Sequence, residues 1–264
     1  MISTYDKNRV AERFARQSKV YESVTPVQND MAERLMTMIA DVAQITNPTN
    51  VLDIGCGTGR LTAKLIEKFP NAHVTGIDVA DAMIRQARKN VPKAIFIHDD
   101  AEIYMTHCQD KLQIIASNAA IQWFDNPLKT IRRCIDALQS KGSLAFATFG
   151  DQTFKELRTA FCEAYGELDV KPKKHLLDMP NAAFWQNAIP NATVTEETFE
   201  LNFPCVKDFL HSVQKAGATH PPSKNSQLTK KVYLKMTDRY KKRFKKNNGI
   251  QVTYHAIYVT FVKP

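Results

Sequence analysis

No stretch of this 264-residue sequence is long and apolar enough to cross a membrane, and its opening residues, Met1-Ile-Ser-Thr-Tyr-Asp-Lys7, hold no apolar run of a secretory signal. A cytoplasmic protein, monomeric by default, is expected. Cysteine is sparse and scattered: Cys56, Cys108, Cys134, Cys162 and Cys205 are odd in number and form no Cys-x-x-Cys pair. That argues against a disulfide framework or a zinc site and suits reduced thiols. Internal repeats and low-complexity tracts are missing, as is any carboxylate or histidine cluster at ligand spacing, so no metal is expected. The remaining composition, 44% hydrophobic, is that of one packed domain. The formal net charge of +9 is uneven, with Lys241, Lys242, Arg243, Lys245 and Lys246 crowding one short stretch. An anionic partner is expected there.

The hydrophobic pattern predicts helices over 5–20 and 27–44, then strands over 51–54, 72–77, 94–98, 112–117 and 143–149, separated by helices through Phe69 and over 80–90 and 127–138. Such alternation is the signature of a parallel sheet with helical crossovers. The second half reads as a helix over 151–166, a basic link over 170–175, an alternating strand over 193–203, helices over 206–216 and 226–245, and a last alternating strand over 250–262. Two strands separated by a helical excursion predict a sheet edge carrying a lid.

The segment Val51-Leu-Asp-Ile-Gly-Cys-Gly-Thr-Gly59 follows a strand and opens a helix. Its glycines let the backbone turn sharply and approach a ligand. A phosphate-binding Gly-x-Gly-x-x-Gly loop is the rival, but the third glycine comes one residue early and Asp53 would repel a pyrophosphate. A cofactor carrying an ammonium and a sulfonium fits better, although the loop alone also fits a turn built for packing. Asp78, nineteen residues beyond Gly59, ends strand two, where an acid accepts from both ribose hydroxyls of an adenosine. A helix cap is the bland alternative; Asp81 suits that role better and leaves Asp78 for a ligand. Asp99-Asp100-Ala101-Glu102 follows strand three, where a carboxylate meets an adenine amino group, and Ser117-Asn118-Ala119 follows strand four. Four polar sites at the carboxyl ends of successive strands match the rule for ligand position in open α/β sheets.

The set resembles the class I S-adenosylmethionine-dependent methyltransferases over about residues 45–150 and the last strand. The resemblance implies a Rossmann-like, seven-stranded, mostly parallel α/β sheet with an antiparallel last strand, helices on both faces and a helical lid. One domain is expected: N-terminal helices over 1–44, core sheet over 45–203, lid over 204–249 and last strand over 250–264. It also implies that Asp53, Gly55 and Gly57 line the methionine end of the cofactor, that Asp78 holds the ribose, that Asp100 and Ala101 lie at the adenine, and that Met83 and Asn118 complete the site.

Ser117-Asn-Ala-Ala-Ile-Gln-Trp-Phe124 resembles the corresponding segment of enzymes that methylate free carboxylates of small acids. Arg13-Phe14 with Tyr21, the stretch Val206–His220 ending in Gly-Ala-Thr-His, and Thr253-Tyr-His-Ala-Ile-Tyr258 are similar to the malonyl-[acyl-carrier protein] O-methyltransferase family of biotin biosynthesis. Pro221-Pro222-Ser223 departs from that pattern, where relatives tend to continue with a glycine-containing turn. The resemblance implies methylation of the distal carboxylate of a malonyl thioester, which primes pimeloyl synthesis. A carboxylate is already ionised at neutral pH, so alignment rather than a general base is required. The candidate aligning groups are Tyr21, Asn118, Gln122, Trp123 and His255, each with a structural alternative as a core aromatic or a satisfied polar group. Acyl carrier proteins are acidic, and the basic cluster, with Arg132 and Arg133 as weaker candidates, is expected to attract one. The rival readings are a methyltransferase of another small acid such as aconitate, an RNA methyltransferase suggested by charge alone, and a non-catalytic cofactor-binding partner. The basic stretch has few interleaved aromatics, and a nucleic-acid partner is not expected.

Overall fold

The computed structural model describes residues 7–18, 20–109, 111–216 and 228–264. The chain runs α1 (Lys7–Gln17), α2 (Tyr21–Val24), α3 (Pro26–Val42), β1 (Asn50–Ile54), α4 (Arg60–Lys68), β2 (His73–Asp78), α5 (Asp81–Asn90), β3 (Ile95–His98), α6 (Ala101–His107) and β4 (Leu112–Asn118). A short 3-10 turn, Ile121–Trp123, leads to α7 (Pro127–Ala137), β5 (Leu138–Phe149), α8 (Lys155–Leu168), α9 (Ala182–Ala188) and β6 (Thr193–Phe203). Then come α10 (Val206–Lys215), α11 (Lys230–Arg243), β7 (Lys245–Lys246) and β8 (Gly249–Val262). Among the described residues no helix is long and apolar enough to cross a membrane.

The sheet order is β3-β2-β1-β4-β5-β8-β6, with the two-residue β7 paired to β8 off this path. β1 to β5 pair in parallel, and β8 runs against both β5 and β6. The expected mostly parallel sheet with an antiparallel last strand is what forms. Because β1 and β4 are neighbours, the strand order reverses between them, and the carboxyl ends there splay into a crevice.

Alternation along β1 sends Val51 to one face and Leu52 and Ile54 to the other. Val51 packs with Met31, Leu35 and Ile39 of α3 and Leu65 of α4; Leu52 packs with Ile131 of α7 and Trp185 of α9. A separate apolar cluster joins Phe161 of α8, Phe209 of α10 and Met236 and Tyr240 of α11 to Val252 of β8. Helix boundaries follow local chemistry. Pro26 and Pro127 start α3 and α7, Asn181 accepts from Phe184 N at α9, and Thr229 accepts from Val232 N at α11.

The helix expected over 5–20 is α1, and the short α2 that follows it at Tyr21–Val24 was not foreseen. α6, α9 and β7 were not foreseen, and α11 stops at Arg243. The expected Gly217-Ala-Thr-His220 and Pro221–Ser223 features lie outside the described residues.

Candidate functional site

A cleft of about 1060 Å³, its open mouth included, lies over the carboxyl ends of β1, β2 and β4. Asp53, Gly55 and Gly57 line it from the glycine loop, and Asp78 and Met83 from β2 and α5. Asp100, Ala101 and Asn118 line it from the strand ends beyond β3 and β4, and Tyr21 and Trp123 form its cover. The loop is held by Gly55 N and Cys56 N, which donate to Ile77 O at 2.8 and 2.9 Å. Gly55 sits at φ +69°, and a Cβ there would lie 2.2 Å from the Ala120 side chain. The glycine therefore answers both to backbone conformation and to the pressed segment beyond β4.

Asp78 accepts from Gly57 N through Oδ2 at 3.0 Å and from Ala80 N through Oδ1 at 2.8 Å. Asp81 was expected to cap α5. It is instead the helix's first residue and pairs with Arg85 one turn on, because a carboxylate inside the first turn reaches forward to an i+4 cation. Asp100 accepts from Glu102 N at 2.8 Å and caps α6, so one of its oxygens serves the helix.

Asp53 is buried and accepts from Thr62 Oγ1 at 2.6 Å through Oδ2, while its Oδ1 has no hydrogen-bond partner among the described residues. Asn118 repeats the pattern: Nδ2 donates to Gln28 O at 2.9 Å, and Oδ1 is buried without a partner among the described residues. Burial, aided by the nearby Asp78 charge, pushes the Asp53 carboxyl up to about 7 against the opposing Thr62 hydrogen bond. Burial raises Asp78 too, offset by the amides of Ala80 and Gly57. Burial, then Asp78, keeps the Tyr21 phenol neutral. Two orphaned acceptors, one an acid strained towards its neutral form, fit a bound cation that donates hydrogen bonds.

A smaller cleft of about 490 Å³ adjoins the first and shares Phe14, Tyr21, Gln28, Ala119 and Trp123 with it. Phe14 packs edge-on against both Tyr21 and Trp123, at 6.0 and 5.7 Å between centroids, so these rings form the partition. Gln122 lines only this second cleft. Its Nε2 donates to Ala119 O at 2.6 Å and its Oε1 accepts from Thr148 Oγ1 at 3.0 Å. Ala119 has φ 52°, so Gln122 braces a strained residue at the junction of the two clefts.

His255 lines neither cleft, which corrects the expectation that it reaches the acceptor. Along a strand successive side chains alternate, and the β8 residue that lines the second cleft is Tyr254. His255 is buried beside Glu196, with Nε2 2.8 Å from Oε2, and its Nδ1 accepts weakly from Gln152 N at 3.4 Å. Its backbone oxygen accepts from Gly150 N and Thr153 Oγ1, and Thr253 O accepts from Phe154 N. Thr253 also donates to the buried Glu156 through both its amide and its hydroxyl. The Thr253-Tyr254-His255 motif is thus a buckle. Its outer residues hold the 150–154 turn, and Thr153, Phe154 and the middle tyrosine face the second cleft. Phe14, Gln28, Phe154, Met179 and Tyr254 were not anticipated as site residues; only a short Arg13-Phe14…Tyr21 spacing and the terminal motif pointed near them.

The basic cluster is partly neutralised by the chain itself. Lys242 pairs with Asp238 at 3.0 Å, Arg243 with Glu163, and Lys246 with Glu200 at 2.8 Å. Lys241 and Lys245 make no ion pair among the described residues and are exposed. Lys245 and Lys246 belong to the β7–β8 hairpin rather than to a helix. Arg133 donates to Glu102 O at 3.2 Å, and with the exposed Arg132 it sits on α7, which packs on α6 and β5, whereas α11 packs on α8. The two basic groups therefore stand on separately packed elements.

Residues 51–142 match the family model described as a methyltransferase domain. The malonyl-[acyl-carrier protein] O-methyltransferase of Brevibacillus brevis is 33% identical, over 97% of this chain and 96% of its own length. That of Anoxybacillus flavithermus is also 33% identical, over 96% of each chain. Among solved structures, a methyltransferase-like protein of Bacillus halodurans aligns with a TM-score of 0.58 at 14% identity, covering 87% of this chain and 98% of that one.

Proposed function

Because the chain belongs to the malonyl-[acyl-carrier protein] O-methyltransferase family, we propose that it methylates the free carboxylate of a malonyl thioester, with S-adenosylmethionine as methyl donor, to give the methyl ester that primes the pimeloyl chain of biotin. The observation that carries the reading is the pair of orphaned acceptors, Asp53 Oδ1 and Asn118 Oδ1, in a cleft that adjoins, across Tyr21 and Trp123, a second cleft lined by no charged residue among the described ones. The ammonium of a bound cofactor would satisfy those acceptors, Asp78 would take the ribose hydroxyls, and Met83 and Ala101 would offer apolar walls to an adenine. Bound there, S-adenosylmethionine supplies a methyl group on a cationic sulfur, which a carboxylate oxygen takes in one displacement that leaves the bonding pair on sulfur.

The chain's own part is alignment. The polar groups lining the second cleft are neutral: Tyr21, Gln28, Gln122, Thr153 and Tyr254. Neutral donors orient a carboxylate without the strong ion pair that would blunt its nucleophilicity. Tyr21 stays a donor because burial holds its proton. No residue removes a proton, since the acceptor arrives ionised. Thr253 and His255 act at one remove by fixing the turn that carries Thr153 and Phe154. The positive α11–β7 surface would meet an acidic carrier.

The test is transfer of labelled methyl to malonyl-carrier, malonyl-CoA, free dicarboxylic acids and tRNA. Base-labile ester on a malonyl thioester is the expected result. Labelling of tRNA or of a free acid with no labelling of either malonyl thioester would overturn the reading.

A further inference from the structure

A third cleft, of about 910 Å³, continues the line of the first two. It shares Thr153, Phe154, Leu177, Met179 and Val213 with the second cleft. The shared walls make one path: from the glycine loop, past the Phe14–Tyr21–Trp123 partition, past Phe154, and along α8. Phe154 stands at the junction in a left-handed conformation, φ 59°, which costs energy for an aromatic residue and is held by Phe154 N donating to Thr253 O at 2.7 Å. Leu157 and Phe161 wall the third cleft one and two turns further along the helix. From Phe154 to Phe161 the helix rise alone spans about 10 Å.

The third cleft is apolar except at a few points. Arg158 lines it, half-buried, and makes no ion pair among the described residues. Gln214 lies exposed on its opposite wall, on α10. No charged residue lines the second cleft, where the proposed carboxylate reacts, among the described residues, so a cation placed one cleft further out is misplaced for that carboxylate and suits a second anionic group at the other end of a long substrate.

Resting on the proposed function, we infer that this third cleft is the subsite for the phosphopantetheine arm of the thioester. Its apolar walls would receive the dimethyl and methylene portions, Gln214 an amide, and Arg158 the phosphate. An arm with two amide linkages reaches roughly 15 Å or more when extended, long enough to leave the second cleft and run the length of α8 beside the third. Carrier and CoA share this arm, so the subsite recognises what they have in common, and the α11–β7 surface would then distinguish the protein from the nucleotide.

The experiment compares malonyl-carrier, malonyl-CoA and the malonyl thioester of N-acetylcysteamine, which lacks the outer arm and the phosphate. Wild type, Gln214→Trp and Arg158→Glu are assayed with each. The readout is the ratio of kcat/KM for an armed substrate to that for the short one, which cancels any general loss of folded enzyme. Both substitutions lower that ratio about tenfold, for carrier and CoA alike. A ratio that stays at the wild-type value in both variants overturns the subsite. A fall for the carrier alone also overturns it, because the arm is then not what is read. A wild type that methylates none of the three instead removes the proposed function on which the inference rests, so the two failures are told apart.

Discussion

The half of the sheet that carries the first cleft and the half that carries the second are built on different principles. In β1 to β4 each site group sits at the end of its own strand, a residue or two from the turn that positions it: Asp53 and Gly55, Asp78, Asp100 and Asn118. The second cleft is assembled from Phe14, Gln122, Thr153, Met179, Val213 and Tyr254, which are far apart in the chain and meet only when β8 inserts between β5 and β6. A local site tolerates change elsewhere in the fold. An assembled site depends on every element that holds it, here on the Thr253–Glu156 and His255–Thr153 contacts. The first half should therefore lose ligand without losing stability, and the second should lose both.

The largest effect is expected at Asp53. Asp53→Asn keeps the Thr62 contact feasible and removes the charge opposite a cationic ligand. Breaking one partner of a buried charge pair costs ~3 kcal/mol or more, about 100-fold in affinity. Titration of S-adenosylhomocysteine by calorimetry measures it, and binding within a few-fold of wild type would break the comparison. Thermal stability should hold or rise. In the free protein the raised Asp53 carboxyl penalises folding progressively as pH rises from the ordinary carboxylate range to about 7, and the asparagine removes that penalty.

The same shift gives a pH dependence. Only ionised Asp53 pairs with an ammonium, so below about 7 binding must first expel a proton. Affinity for S-adenosylhomocysteine should rise with pH, about tenfold between pH 6 and a plateau above 7.5, through this one group. A flat profile in wild type, or an unchanged slope in Asp53→Asn, would show that the carboxylate does not face the cation.

The contrast also explains what could be read from the residues. All seven long strands, their order of appearance and the cofactor loop were legible, because hydrophobic alternation and glycine spacing are local signals. The α6 and α9 helices were missed because seven-residue helices carry barely two turns of periodicity. His255 was singled out over Tyr254 because nothing in a single strand tells which face meets the site; the pairing of β8 between β5 and β6 decides it. The bases of α11 and β7 read as a free positive run because three of their acids, Glu163, Glu167 and Glu200, lie 46 to 80 residues away in sequence.

A smaller and more selective effect is expected in the assembled half. Thr253→Val leaves Glu156 buried without its hydroxyl donor, and stability should fall by about 1–3 kcal/mol, read as a lower Tm. Cofactor affinity at saturating folded protein should stay within about twofold, since Thr253 does not line the first cleft. Tyr254→Phe should lower kcat/KM for the malonyl thioester about tenfold and leave the cofactor titration unmoved. Loss of cofactor binding in either variant would mean that the two halves are energetically one.

The smallest effect concerns the surface, and its size depends on which charge is reversed. Nine bases between Lys230 and Lys246 face four acids, Asp238, Glu163, Glu167 and Glu200, which leaves an excess of five positive charges. Long-range steering follows that excess, so Lys242→Glu and Lys241→Glu should slow association with an acidic carrier alike, about two- to threefold at low salt and not at all at high salt. Short-range docking follows availability. Lys242 must leave Asp238 before it can pair with a carrier, whereas Lys241 has no such tie among the described residues. Lys241→Glu should therefore also hasten dissociation from the malonyl-carrier, and Lys242→Glu should not. Surface-bound carrier titrated with each variant at two salt concentrations separates the two rates. Equal dissociation rates would mean that this face only attracts the carrier and that the contact itself forms elsewhere.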